Sequence, residues 1–276
     1  YILSVLVLAS AIFGSCTKDL DLEPKYGLNT SAVYNDADNY INVLAKLYGG
    51  FVLTGNQGPA GNADISGMDE GFSAYLRVYW NLQEITTDEA KVIWLDPGLP
   101  ELNTMNWTSD NVWVKGMYAR LYFQITLANE FIRQCSDENM DARGFTEDQK
   151  AQIRIYKEEA RFIRALSYTH ALDLFGGNVP FVTEADAVGA YYPSQTNADD
   201  LYAYIESELN DLENTLIDAR ANEYGRADKA AAWFLKAQLY LNSEVYVGQN
   251  RYADCAAECE KIIAAGYQLE PVYQNL

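Results

Sequence analysis

Carboxylates are the most frequent side chains in this sequence that could do acid–base chemistry, and two adjacent pairs stand out, Asp69-Glu70 and Asp88-Glu89. Glycoside hydrolysis requires two carboxyl groups about 5–10 Å apart across a cleft, and adjacency in the sequence does not indicate that arrangement. Both pairs also lie where turns and helix starts need acidic caps. We therefore favour structural roles for these carboxylates and predict that the protein is not an enzyme.

The other reactive side chains also favour structural roles. His170, the single histidine, lies on the apolar stripe of a predicted helix, and the sequence names no partner acid or nucleophile for it. We expect a buried, hydrogen-bonded core residue. Cys255 and Cys259 share the inner face of a predicted helix as small apolar side chains. Because the four cysteines form no zinc pattern and no phosphate loop or HExxH motif occurs, we predict no metal and no cofactor.

Aromatic side chains can form a binding site without catalytic groups, and residues 58–113 hold four of the five tryptophans. A flat indole covers the apolar C–H face of a sugar ring, while Arg, Asp and Asn side chains bond its hydroxyl groups. Local packing is the alternative for every tryptophan, and it is weakest for Trp94, because the turn that follows would push this indole outward. The predicted glycan-binding residues are Tyr75, Arg77, Trp80, Trp94 and Asp96.

Helices must position these residues, because apolar side chains recur every three or four residues along most of the chain. The predicted helices span 38–49, 112–133, 146–175, 199–217, 228–243 and 252–265. The last of them is expected to bury Tyr252, Cys255, Ala256, Cys259 and Ile262 or Ile263. Residues 58–113 show no long amphipathic period and are predicted to be rich in loops, while 137–148 and 246–251 are predicted links.

The last two predicted helices are similar to a tetratricopeptide repeat, with small residues where the helices touch and Pro271 after the second. The earlier predicted helices also suit antiparallel pairs. The sequence therefore predicts an all-α fold, in which tetratricopeptide-like helix pairs form a superhelical scaffold with a loop-rich glycan-binding region packed on it. The net charge of −19 argues against nucleic acid and anionic lipid as partners.

The first residues are typical of export. Residues 1–15 form an uncharged apolar run with the length of a signal-peptide core, and Cys16 follows small residues as a lipidated cysteine does. An ordinary signal peptide is the alternative. We predict a partial signal peptide at 1–15, a lipidated tether at 16–37 and the folded region at 38–276. The missing initiator Met and the abrupt end also lead us to expect truncation at both ends.

Several segments together resemble the SusD/RagB family of nutrient-uptake lipoproteins. They are KDLDLEP after Cys16, DISGMDEG at 64–71, TTDEAKVIW at 86–94, EEARFIRALSYTHALDLFGGNVPF at 158–181 and YGRADKAAAWFLKAQLYLNSEVY at 224–246. In the family's starch-binding member an Arg, a Trp and an Asn line the sugar site. Arg77 and Trp94 match the first two, while Asp96 or Pro97 falls near the third.

The resemblance implies a non-catalytic, surface-exposed lipoprotein of the outer membrane. Such a protein captures oligosaccharide or polysaccharide and delivers it to a SusC-like TonB-dependent porin. The alternative is a helical-repeat lipoprotein that captures peptide or protein cargo for such a transporter. A glycan titration distinguishes the two hypotheses.

Overall fold

The computed structural model describes residues 30–56, 63–189 and 192–275, and helices dominate this part of the chain. The α-helices are α1 (Thr30–Tyr34), α2 (Asn39–Gly49), α3 (Tyr75–Glu84), α4 (Leu99–Asn103), α5 (Val112–Gln134), α6 (Asp137–Ala142), α7 (Glu147–Phe175), α8 (Ala198–Thr215), α9 (Lys229–Leu241), α10 (Ser243–Val247) and α11 (Tyr252–Ala264). A short 3₁₀-helix, Tyr273–Asn275, follows them.

The long helices pack in succession along the chain. α5 lies against α7, α7 against α8, α8 against α9, and α9 against α11, while α2 and α3 pack on α5. This succession of helix pairs confirms the predicted all-α, tetratricopeptide-like scaffold. Its core continues beneath the loop-rich segment, where Val78, Leu99, Trp113 and Met117 are all buried. The segment that holds the predicted site therefore rests on the scaffold.

Polar side chains fix where the long helices begin. Asn111, Thr146, Asn197 and Asp228 each accept hydrogen bonds from backbone N–H groups of the first turn that follows. These bonds satisfy donors that a helix leaves free at its start. The predicted helix boundaries agree with the observed ones to within about two residues, as is usual for helix ends.

Three predictions about local structure were wrong. Residues 30–34, assigned to the tether, form α1, and Tyr34 is buried with its ring 5.1 Å from that of Tyr40. The region predicted as loops contains the ten-residue helix α3. The predicted link 137–148 contains the short helix α6, and the short helix α10 extends into the predicted link 246–251. The expectations for residues 1–15 and Cys16 lie outside the described residues.

The buried face of α11 also differs from the prediction. Tyr252, Ala256, Cys259 and Ile263 are exposed, and Cys255 is only partly buried. Glu258 is buried instead, because its carboxylate pairs with Lys236 Nζ of α9 at 2.9 Å. An ion pair between the two helices thus places a charged residue where periodicity favoured apolar ones.

Candidate ligand-binding cavity

A cavity of about 610 Å³ opens between α5 and the segments that contain residues 65–77 and 94–99. We call its exposed lining residues the rim and its buried or partly buried ones the floor. The rim consists of Ser66, Gly67, Asp69, Arg77, Trp94, Asp96, Pro97, Val112 and Lys115. The floor consists of Ile65, Met68, Phe72, Leu99, Trp113, Gly116 and Ala119. All four charged lining residues are therefore on the rim.

Three of the five predicted glycan-binding residues meet at this rim. Trp94 keeps 60% of its surface exposed, although large aromatic side chains usually pack in a core. Arg77 and Asp96 line the same cavity, and the Arg77 Nη1 donates to Gly71 O at 2.9 Å. The rim thus combines an open aromatic face with hydrogen-bond donors and acceptors.

The other two predicted residues lie elsewhere. Tyr75 is fully buried, and its hydroxyl bonds His170 Nδ1 at 2.8 Å, so the prediction that it contacts a ligand was wrong. Trp80 is 63% exposed but does not line the cavity. Although Trp80 lies about one helical turn after Arg77 on α3, it is not one of the residues that meet at the rim.

His170 is hydrogen-bonded as predicted, but it is partly buried rather than fully buried in the core. Its ring stacks on Tyr79 with centroids 4.2 Å apart, in addition to the hydrogen bond with Tyr75. Burial lowers the pKa of His170 to about 4, because the charged imidazolium would lose its hydration. Burial also raises the pKa of Tyr75. Both side chains are therefore neutral near pH 7 and join α3 to α7.

Arg120 of α5 fixes the segment that carries Met68 and Asp69. Its side chain is buried, and its Nε donates to Ser73 O at 2.6 Å. Its Nη2 donates to Thr54 O at 3.3 Å. One guanidinium thus bonds both ends of the segment between residues 54 and 73, and so fixes the position of this side of the cavity.

Asn111 fixes the opposite side. Its Oδ1 caps α5 by accepting from Trp113 N at 2.9 Å, and its Nδ2 donates to Gly98 O at 2.9 Å. Gly98 has a φ of +87°, which glycine adopts without strain, and a Cβ there would lie 2.9 Å from Asn111 Nδ2. Asn103 Nδ2 also donates to Val92 O at 3.0 Å. The backbone around Trp94 is therefore anchored on both sides.

The sequence interpretation missed the floor and two charged residues of the rim. Asp69 was assigned a capping role, and Lys115 was not singled out. Met68 and Asp69 lie in the 64–71 segment, which contributed to the family resemblance and was the one available signal for them. The rings of Phe72 and Trp113 pack with centroids 4.6 Å apart, a contact that links two segments. Periodicity within one segment does not reveal such contacts.

The described residues show neither a metal cluster nor a membrane span. No group of three His, Cys, Asp or Glu side chains among them is placed to hold a metal ion. No helix in residues 30–56, 63–189 or 192–275 has the length and apolarity required to cross a membrane.

A curated relative matches almost the whole chain. The chain is 34% identical over 273 residues to the starch-binding protein SusD of Bacteroides thetaiotaomicron, a match that covers 99% of this chain and 46% of that protein. The chain therefore spans about half the length of this relative. No family model matches the sequence.

Solved structures show the same fold. Surface glycan-binding protein A from Bacteroides uniformis aligns with a TM-score of 0.61 and 20% identity, over 87% of this chain and 49% of that one. The corresponding protein from Bacteroides thetaiotaomicron, in complex with laminarihexaose, aligns with a TM-score of 0.59 and 20% identity, over 86% and 45%. The match to the starch-binding protein supports membership of the SusD-like family, and the solved structures share the fold of this chain.

Proposed function

We propose that this chain binds oligosaccharide or polysaccharide at the cavity beside Trp94. The observation that carries the proposal is the exposed indole at the rim, next to Arg77 and Asp96. The indole offers an apolar face for the C–H side of a sugar ring, and the charged groups offer hydrogen bonds to its hydroxyls. One relative is a starch-binding protein, and a protein with the same fold binds laminarihexaose, which supports a glycan as the ligand class.

The similarity to SusD supports a proposal for the wider role. The protein acts as a non-catalytic lipoprotein, anchored through Cys16 on the outer-membrane surface, and delivers glycan to a SusC-like TonB-dependent transporter. Mass spectrometry of the mature native protein tests the anchor, since an unmodified Cys16 contradicts it. Co-purification of the transporter from native outer membranes tests the partner. Release of reducing sugar from a bound glycan would contradict the non-catalytic role.

Affinity electrophoresis against a panel of plant and host polysaccharides tests the site. We expect one or more glycans to retard the wild type, and Trp94→Ala to lose that retardation. Trp80→Ala is the matched control, because Trp80 is similarly exposed but lies outside the cavity. Equal loss in both variants, or retention in Trp94→Ala, contradicts the proposed site. Failure of every glycan to bind contradicts glycan binding and favours the peptide-cargo alternative.

A further inference from the structure

The cavity is divided by depth into a charged rim and an apolar floor. Its volume, about 610 Å³, lies within the range of pockets that hold small ligands, roughly 300–1,000 Å³. Every floor residue has an apolar side chain or is glycine, except that Trp113 carries an indole N–H, which already donates to Pro97 O at 3.2 Å. Among the described residues, none of the buried side-chain atoms without a partner belongs to the floor.

This division restricts which part of a sugar can enter. A hydroxyl placed on the floor would lose its hydrogen bonds to water and find no side-chain partner, which is unfavourable. An unsubstituted hexose carries hydroxyl groups around its ring, so it is suited to the rim and to the face of Trp94. The group that suits the floor, beside Met68 and Phe72, is a small apolar substituent.

The hydrogen-bond donors of the rim indicate that this substituent also carries a hydrogen-bond acceptor. Lys115 pairs with Asp110 at 2.7 Å, but both side chains are largely exposed, at 59% and 87%, so the pair is weak. An ammonium has three donors, and the Arg77 guanidinium has five. A carbonyl oxygen accepts hydrogen bonds only, which matches these donors. An acetyl group combines such a carbonyl with a methyl group.

We propose that the cavity recognises an acetylated sugar residue, with the acetyl methyl on the floor and its carbonyl oxygen at the Arg77 and Lys115 side of the rim. The inference rests on the proposed glycan-binding function and specifies the class of glycan. An N-acetyl and an O-acetyl group share this chemistry, and the test separates them.

Isothermal titration with matched pairs of glycans tests the proposal. Chitohexaose and cellohexaose differ by the N-acetyl group at each sugar, and O-acetylated xylan is compared with the same polymer after mild alkaline deacetylation. We expect the acetylated member of at least one pair to bind at least tenfold more tightly. Equal affinity within both pairs overturns the acetyl proposal. The proposal of glycan binding still holds in that case if Trp94→Ala abolishes the binding.

A variant that fills the cavity provides a second readout. Val112→Phe adds bulk at the rim without removing a charged group, and Val245→Phe is the control on exposed α10 surface outside the cavity. We expect Val112→Phe to reduce affinity for the acetylated glycan about tenfold more than affinity for its unsubstituted counterpart, and Val245→Phe to change neither. An equal loss for both glycans contradicts acetyl recognition, and thermal unfolding of both variants verifies that they are folded.

Discussion

The helical body and the cavity region use charged side chains differently. In the body, charges are paired across helices and loops: Glu159 with Arg226, Arg164 with Glu208, and Lys236 with Glu258. At the cavity, Asp69, Arg77 and Asp96 are exposed and form no ion pair with any described residue. Charges in the body therefore stabilise the fold, whereas Asp69, Arg77 and Asp96 at the rim are available to a ligand and Lys115 there forms only an exposed pair with Asp110.

The largest effect is expected where a buried charge loses its partner. Glu159 accepts from Tyr48 Oη at 2.6 Å and from Arg226 Nε at 3.1 Å, and its side chain is only 1% exposed. Glu159→Gln should lower the free energy of unfolding by about 3 kcal/mol, because the largely buried Arg226 would lose its buried partner and keep only an exposed one. Urea denaturation measures this loss.

Glu223→Gln is the matched control, since Glu223 pairs with the same Arg226 at 3.5 Å but is 80% exposed. Its effect should stay below about 0.5 kcal/mol, as for other surface pairs. Similar losses of stability in the two variants would show that burial does not distinguish the two pairs. That result would contradict the claim that buried ion pairs stabilise the helical body.

A smaller, pH-dependent effect is expected at His170. Its pKa is about 4 in the folded chain but 6.5 for an ordinary histidine side chain, so the unfolded chain takes up a proton first as the pH falls. The stability from neutral His170 is complete above pH 6.5 and is lost progressively down to pH 4. Between about pH 7 and about pH 5 the loss is about 2 kcal/mol. His170→Gln should reduce this dependence, measured by urea denaturation, and an unchanged slope contradicts the assignment.

Asn111→Ala should lower stability less than Glu159→Gln does, but its effect should extend to the cavity. Loss of an N-cap costs about 1 kcal/mol. The variant also loses the bond to Gly98 O, which anchors the turn after Trp94. We expect weaker glycan binding in titration, while Ser136→Ala, which removes the cap of α6, should leave affinity unchanged. Equal affinities in both variants would contradict a positioning role for Asn111.

The sequence predicted the scaffold well because periodicity within each helix follows from burial of one face. Ile153, Ala160 and Ile163 of α7 are buried as their spacing indicated. The face of α11 could not be predicted, since Glu258 is buried through its contact with Lys236 on the preceding long helix. Local periodicity carries no information about such a partner.

The candidate site shows the same limit. The outward position of Trp94 was predicted from the turn that follows it, a local signal, and Asp96 was selected for its ability to bond sugar hydroxyls. Tyr75 was misassigned because its partner, His170, is 95 residues away and on another helix. The floor unites residues from three segments, such as Phe72, Leu99 and Gly116, and their proximity depends on the tertiary fold.

The most direct test compares one arginine from each region. Arg77→Gln alters the rim, and Arg164→Gln alters a buried side chain that bonds Asn129 Oδ1 at 2.8 Å and Glu208 Oε2 at 3.0 Å. Two quantities are measured on both variants: the free energy of unfolding, and the affinity for the glycan that retards the wild type most strongly. We predict that Arg77→Gln loses affinity at least tenfold with less than about 1 kcal/mol of stability, whereas Arg164→Gln loses about 3 kcal/mol of stability and keeps its affinity. The reverse pattern would contradict the account.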